Sequence, residues 1–250
     1  MAAEPVTTHQ DTAFGRMRSR AVGAPQEGVP EVVLVQGMAV ADYLLPGLAA
    51  LGEWTRAHLL ELPGLAGSGE PPRPLDVAGY GDAVVAWLDG TGLDRVLLMG
   101  HSSGTQVAAR AAARHPPEVR GVVLASPTID PRYRSWVRLF VAWRLDGRRE
   151  PPGLSESHRP EWRRAGLRRL VHVVRIHLAD RLEDVVPRLR VPVLVLHGDR
   201  DRVCTERWAR SLAEDAREGR FASMPGAHTF PWADPQAWSG PVRDLARELP

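Results

Sequence analysis

Arg95-Val96-Leu97-Leu98-Met99-Gly100-His101-Ser102-Ser103-Gly104-Thr105-Gln106-Val107-Ala108-Ala109 is the stretch whose reading decides the fold. Its first part is a short apolar run, the pattern of a strand covered on both faces. Its last part is rich in small residues and predicts a helix over 103–114. Between them stands G-x-S-x-G, in the strand–turn–helix context that gives this pattern mechanical meaning. Gly100 and Gly104 let the strand and helix approach closely. Ser102 is left at the helix N-terminus, where free N–H groups and the helix dipole favour a developing negative charge.

Outward from that turn, strands and helices alternate. Glu31-Val32-Val33-Leu34-Val35-Gln36 reads as a buried strand ended by Gly37, and 41–51 as a helix blemished by Pro46. Arg56-Ala57-His58-Leu59-Leu60-Glu61-Leu62 is a strand that stops at Pro63-Gly64, and a Gly/Pro-rich loop follows to Pro74. Residues 75–88 carry Val77, Tyr80, Val84, Val85 and Leu88 on one helical face. Strands are predicted at 119–125, 191–197 and 220–224, and helices at 205–218 and 235–249. The first 15 residues read as loose, and 16–22 as an edge strand. Repeated strand–helix–strand units predict an α/β fold, a mostly parallel central sheet with helices on both faces. Residues 128–187 break the rhythm. They offer no convincing strand, while 136–140 and 167–178 look like amphipathic helices. The expected division is a core of 1–127 and 188–250 with a helical cap inserted over 128–187, since a structureless loop of that length is improbable.

The 250 residues are 44% hydrophobic and 25% charged, which fits a globular chain. No run approaches the roughly 18 apolar residues of a membrane span, and no basic-then-apolar leader is visible at Met1. The single cysteine, Cys204, excludes an intrachain disulfide and disfavours a cysteine zinc site. A soluble, cytoplasmic protein is expected. The net charge is +2, yet lysine is absent and all 32 basic residues are arginine. Between 132 and 181 there are 13 arginines and 5 acids, so this segment is cationic and the remainder anionic. Three readings compete: a solvated helical face, a site for an anionic substrate, or one for a carrier-bound acyl group. Nothing interleaves aromatic and basic residues in the manner of a nucleic-acid module, so no nucleic-acid partner is expected. His172 and His177 are five apart, off one helical face, and no His-Glu-x-x-His occurs, so no metal is expected. No G-x-G-x-x-G or P-loop appears, and no cofactor is expected.

A serine nucleophile needs a base, and the base an orienting acid. His197-Gly198-Asp199-Arg200-Asp201 follows a buried strand, which puts two carboxylates at the C-terminal edge of the sheet. Pro225-Gly226-Ala227-His228-Thr229 forms a loop after the last short strand. The chain order Ser102, Asp201, His228 fits one fold family.

These segments, with Gln36-Gly37-Met38 and Glu61-Leu62-Pro63-Gly64-Leu65-Ala66-Gly67-Ser68, resemble the α/β-hydrolase superfamily over about residues 29–126 and 188–249. The resemblance implies Ser102 as nucleophile, His228 as base and Asp201 as acid, three residues past the turn glycine. Asp199 and Asp130 stay open as alternatives. It implies an oxyanion hole from the backbone N–H groups of Ser103 and Met38. Gln36 stands where the family commonly has His and is a candidate substrate contact. Trp136, Phe140 and Trp143, with Trp162, either line an apolar pocket over Ser102 or pack the cap on the sheet. A serine, not an aspartate, at the elbow argues against the dehalogenase and epoxide-hydrolase chemistry of this fold. The resemblance therefore implies hydrolysis of a carboxylic ester or related acyl bond on a small-molecule substrate. Thioester or C–C bond hydrolysis, cyclisation, and ligand binding without turnover are the alternatives.

Overall fold

The computed structural model describes residues 4–249. Eight strands form one sheet: β1 (Val6–Thr12), β2 (Gly15–Val22), β3 (Glu31–Val35), β4 (Ala57–Glu61), β5 (Val96–His101), β6 (Val119–Ala125), β7 (Val193–Gly198) and β8 (Gly219–Met224). Their spatial order is β1-β2-β4-β3-β5-β6-β7-β8. The β1–β2 and β2–β4 pairs are antiparallel and every other pair is parallel. Alternation along each strand sorts the core onto two faces. Val33, Val35 and Leu98 pack with Tyr80 and Trp87 of helix α2 (Val77–Thr91), Val107 of α3 (Gly104–Ala112) and Leu212 of α6 (Glu206–Asp215). Val32, Leu34, Leu97 and Met99 pack with Leu48 of α1 (Leu45–Leu51) and with Trp238 and Leu245 of α8 (Pro235–Glu248). The expected α/β sheet with helices on both faces is the observed architecture.

The N-terminal expectation is corrected. Of the 15 residues expected to be loose, 1–3 lie outside the described residues, and Val6–Thr12 is strand β1. It pairs with β2 from Val6 opposite Ala21 to Thr12 opposite Gly15, and β2 pairs with β4 on its other side, so β2 is an interior strand. The sequence VTTHQDT has no apolar alternation because β1 is largely exposed, and its pairing comes from main-chain bonds to β2. Pro46 is no blemish. It falls in the first turn of α1, where its missing N–H has no helical partner to lose. Between β6 and β7 stand α4 (Trp136–Asp146) and α5 (Leu154–Ala179), with short 3-10 turns and no strand among the described residues. Ser135 caps α4 by accepting from Arg138 N, and α5 bends at Gly166, whose φ of 73° is non-helical. A last short helix, α7 (Phe230–Ala233), follows β8.

Candidate active site

The turn from β5 to α3 is as tight as the sequence demands. A Cβ at Gly100 would stand 2.3 Å from the Gly104 carbonyl oxygen, and one at Gly104 would stand 2.5 Å from that of Val35. Both contacts are with backbone, so neither position admits a side chain. Ser102 at the apex takes a φ of 56°, a left-handed conformation costing a non-glycine residue about 1–3 kcal/mol. Its own N–H donates to Ala125 O at 2.9 Å, which fixes the turn to the end of β6.

The structure brings Ser102, His228 and Asp201 together from three separate strand ends. His228 Nε2 lies 2.8 Å from Ser102 Oγ, and His228 Nδ1 lies 2.9 Å from Asp201 Oδ2. All three residues are buried. Asp201 is fully engaged. Its Oδ1 accepts from Val203 N at 2.7 Å and Cys204 N at 2.9 Å, and its Oδ2 accepts from Ser126 Oγ at 2.7 Å. Burial opposes the ionised form of Asp201, but His228 and these hydrogen bonds outweigh it and hold the carboxyl below its usual value. Burial likewise opposes charge on His228. The Asp201 carboxylate overcomes it, with Asp146 and Glu150 adding to the effect, and His228 is pushed up to about 9.

The other two candidate acids do different work. Asp199 Oδ1 accepts from Gly226 N at 2.8 Å, bracing the loop that carries His228. Asp130 accepts from Arg132 N and from Thr205 Oγ1, tying the end of β6 to the start of α6. Neither touches His228.

Met38 N donates to Ser103 Oγ at 2.7 Å, so one of the two candidate oxyanion donors is already engaged by the Ser103 hydroxyl. Gln36 is displaced from its expected role. It is buried, absent from the cavity wall, and its Oε1 accepts from Leu62 N at 3.1 Å. As the first residue past β3, it fastens that strand end to the chain leaving β4.

A cavity of about 720 Å³ opens over Ser102, walled by the β3 and β5 ends, α4 and α5. Trp136, Phe140, Trp143 and Trp162 all line it. The first three are also 49%, 59% and 44% exposed, so they meet solvent as well as the cavity. Trp162 is tied down, its Nε1 donating to Met38 O at 3.1 Å.

Several groups around the site had no sequence signal. Tyr43 Oη lies 2.7 Å from His101 Nδ1, and His101 Nε2 lies 2.8 Å from the carbonyl oxygen of His228. That carbonyl can only accept, so His101 Nε2 carries the proton and Tyr43 donates to Nδ1. Burial pulls His101 down to about 3, which keeps it neutral in this chain. Asp146 Oδ2 accepts from His228 N at 3.4 Å, and Glu150 accepts from Thr229 N at 2.8 Å and from the Thr229 hydroxyl. Burial and the neighbouring Asp146 carboxyl push Glu150 up to about 7. The α4 end therefore grips the base-bearing loop from above. Among the described residues no group of three His, Cys, Asp or Glu side chains is arranged to hold a metal ion. No helix there is long and apolar enough to cross a membrane.

The profile of the family described as serine aminopeptidase, S33, matches residues 76–228. The chain is 30% identical over 140 residues to a monoglyceride lipase of Mus musculus, covering 49% of this chain and 46% of that protein. It thus spans about half the length of the curated relatives it first matches. It is 24% identical over 261 residues to a pimeloyl-[acyl-carrier protein] methyl ester esterase of Neisseria meningitidis serogroup B / serotype 15 (strain H44/76), covering 91% of this chain and 97% of that one. Among solved structures, a membrane phospholipase A superposes with a TM-score of 0.79 at 22% identity, covering 98% of this chain and 87% of that one.

Proposed function

Because the chain belongs to the serine aminopeptidase S33 family of α/β-hydrolases, we propose that it is a serine hydrolase that cleaves a carboxylic ester through an acyl-enzyme. The observation that carries this reading is the unbroken hydrogen-bonded line Ser102–His228–Asp201 beneath the 720 Å³ cavity. The similarity to a monoglyceride lipase and to a methyl ester esterase supports an ester as the scissile bond.

Ser102 Oγ attacks the carbonyl carbon while its proton passes to His228 Nε2, and the carbonyl π pair moves onto oxygen. That oxyanion is met by Ser103 N–H and by the Ser103 hydroxyl, itself braced by Met38 N–H. His228 then protonates the leaving alcohol. In the second half it takes a proton from water as the water attacks the acyl carbon, then returns it to Ser102 Oγ as the acyl C–O bond breaks. Asp201 holds the imidazole with Nδ1 protonated throughout.

Residues 128–187 act as a cap over the core of 1–127 and 188–250, with Trp136, Phe140 and Trp143 forming an apolar berth for a small-molecule acyl chain. The arginine excess between 132 and 181 suits an anionic or carrier-bound acyl group, a second reading favoured by the similarity to an acyl-carrier-protein esterase. The single cysteine suits a reducing cytoplasm. The test is labelling with a fluorophosphonate followed by turnover of p-nitrophenyl esters. Adduct on Ser102, lost in Ser102→Ala, is expected. Folded protein that neither labels nor turns over any ester overturns the proposal.

A further inference from the structure

Helix α5 presents Leu167, Leu170, Val171, Val174 and His177 to the cavity, spaced as one helical stripe. Exposure falls along it from 78% at Leu167 through 45% at Val171 to 3% at His177, so the histidine stands at the closed end. A buried imidazole ending an apolar wall is an unusual use of a polar side chain, and its protonation can be worked out from its partners.

The polar chain to His177 begins at the surface. Arg110 Nη2 and Nε donate to Asp180 Oδ1 at 2.6 and 2.9 Å. Gln106 Nε2 then donates to Asp180 Oδ2 at 3.0 Å and to the His177 carbonyl oxygen at 3.1 Å. Turning this amide over would set its oxygen against two acceptors, so its orientation is determined. Gln106 Oε1 is therefore the atom that meets His177 Nδ1, at 2.9 Å, and an amide oxygen can only accept. His177 Nδ1 carries the proton. Burial, aided by His172, pulls the ring down to about 3, so it stays neutral and Nε2 is a bare lone pair. Among the described residues nothing donates to Nε2. The little exposure His177 keeps is on the cavity, where Nε2 is open to a donor rather than sealed in the core.

We infer that His177 Nε2 is a substrate subsite that accepts a hydrogen bond from a neutral hydroxyl a few bonds from the scissile carbonyl. This inference rests on the ester-hydrolase reading above. Two observations set its chemistry and place. Asp180, which shares Gln106 with His177, is already held by Arg110 and Gln106, so it offers no free counter-charge to an ammonium donor and a neutral partner fits. Ser102 and His177 line the same cavity, so a substrate acylating the one can reach the other. The hydroxyl belongs to either the acyl chain or the alcohol, and substrate pairs separate these sources.

The experiment compares kcat/KM for p-nitrophenyl 3-hydroxybutyrate against p-nitrophenyl butyrate, and for 2-hydroxyethyl butyrate against ethyl butyrate. One pair should show a preference of about tenfold for the hydroxylated member, the scale of a neutral hydrogen bond. His177→Leu should bring that ratio to near one while leaving the plain ester within about twofold, and His177→Gln, which restores an acceptor, should recover part of it. Ratios near one for both pairs in the wild type, or a ratio unchanged in His177→Leu, overturn the inference. A second measurement is independent of turnover. The ¹⁵N shifts of His177 should report a protonated Nδ1 and a bare Nε2, and Nε2 should move with the hydroxylated member of the preferred pair, 3-hydroxybutyrate against butyrate or ethylene glycol against ethanol. A protonated Nε2, or no differential response, also overturns it. Failure of every ester together with absent Ser102 labelling would fall on the hydrolase reading instead.

Discussion

Replacing Asp201 by Asn tests more than the presence of a charge, because the surroundings dictate how the amide must sit. Asp201 Oδ1 receives two main-chain N–H groups, Val203 at 2.7 Å and Cys204 at 2.9 Å. An amide NH₂ placed there would face two donors. The Asn oxygen must therefore take the Oδ1 position, and its NH₂ the Oδ2 position, 2.9 Å from His228 Nδ1. There it donates, so Nδ1 becomes the acceptor and the neutral ring carries its proton on Nε2, facing Ser102. A base whose lone pair points away cannot take the serine proton. The same inversion in the best-studied triad costs about 10⁴ in turnover, about 5 kcal/mol in the barrier. Asp201→Asn should lose kcat on that scale with KM little changed in a p-nitrophenyl ester assay, the fold being checked by thermal melting. Asp199→Asn and Asp130→Asn, which lose only bracing contacts, should cost far less. A folded Asp201→Asn within tenfold of wild type would refute this reasoning, as would a larger loss from either of the other two.

The raised pKa of His228 keeps its proton on to higher pH, and only the deprotonated ring is a base, so kcat/KM should climb through an apparent pKa near 9. Glu150→Gln removes one of the charges favouring the imidazolium and should move that limb to lower pH; a limb below the ordinary histidine value in wild type would contradict the electrostatics. Ser103→Ala should lower kcat by roughly tenfold to a hundredfold, since a side-chain donor to an oxyanion is lost while Met38 N–H is released to replace part of it. A faster Ser103→Ala enzyme would mean that the hydroxyl obstructs the hole. If the substrate is anionic, kcat/KM for an anionic ester should fall as salt screens the arginine-rich segment over about 8–10 Å, while a neutral ester changes little. Arg163→Gln with Arg168→Gln should flatten that response, both side chains being exposed, whereas Arg164 and Arg169 are bound to Ala66 O and Glu70; equal salt dependence for both esters would return these arginines to a solvated face.

What could be read from the chain alone follows how locally each feature is encoded. Apolar strands such as Val32-Val33-Leu34-Val35 announce themselves because both faces are buried, and Gly100 and Gly104 announce the elbow because backbone crowds both. Strand β1 was illegible because its side chains are exposed and its order comes from pairing with β2, a contact no local pattern records. Asp146 and Glu150 counted as two acids in a cationic segment. Only the folding of α4 over the His228 loop makes them partners of that loop, Asp146 at His228 N and Glu150 at Thr229. Gln36 reads as a substrate contact because it stands where the family commonly has His, but side-chain direction at a strand end depends on what lies alongside, and here that is Leu62. His172 and His177, five apart, do point to different places, one to Leu75 O and the other to Gln106. That divergence was legible from helical spacing, whereas the resulting tautomer required the whole polar chain to Arg110.

In the proposed reaction an acyl group passes through Ser102. The most direct measurement is to mix the protein with a p-nitrophenyl ester, quench in acid within the first turnover, and map the acyl adduct by peptide mass spectrometry. The account predicts one acyl group per chain on Ser102, matched by an equal burst of p-nitrophenol and absent in Ser102→Ala. Steady ester turnover with the adduct on another residue, such as Ser103, or undiminished turnover in Ser102→Ala, would contradict it.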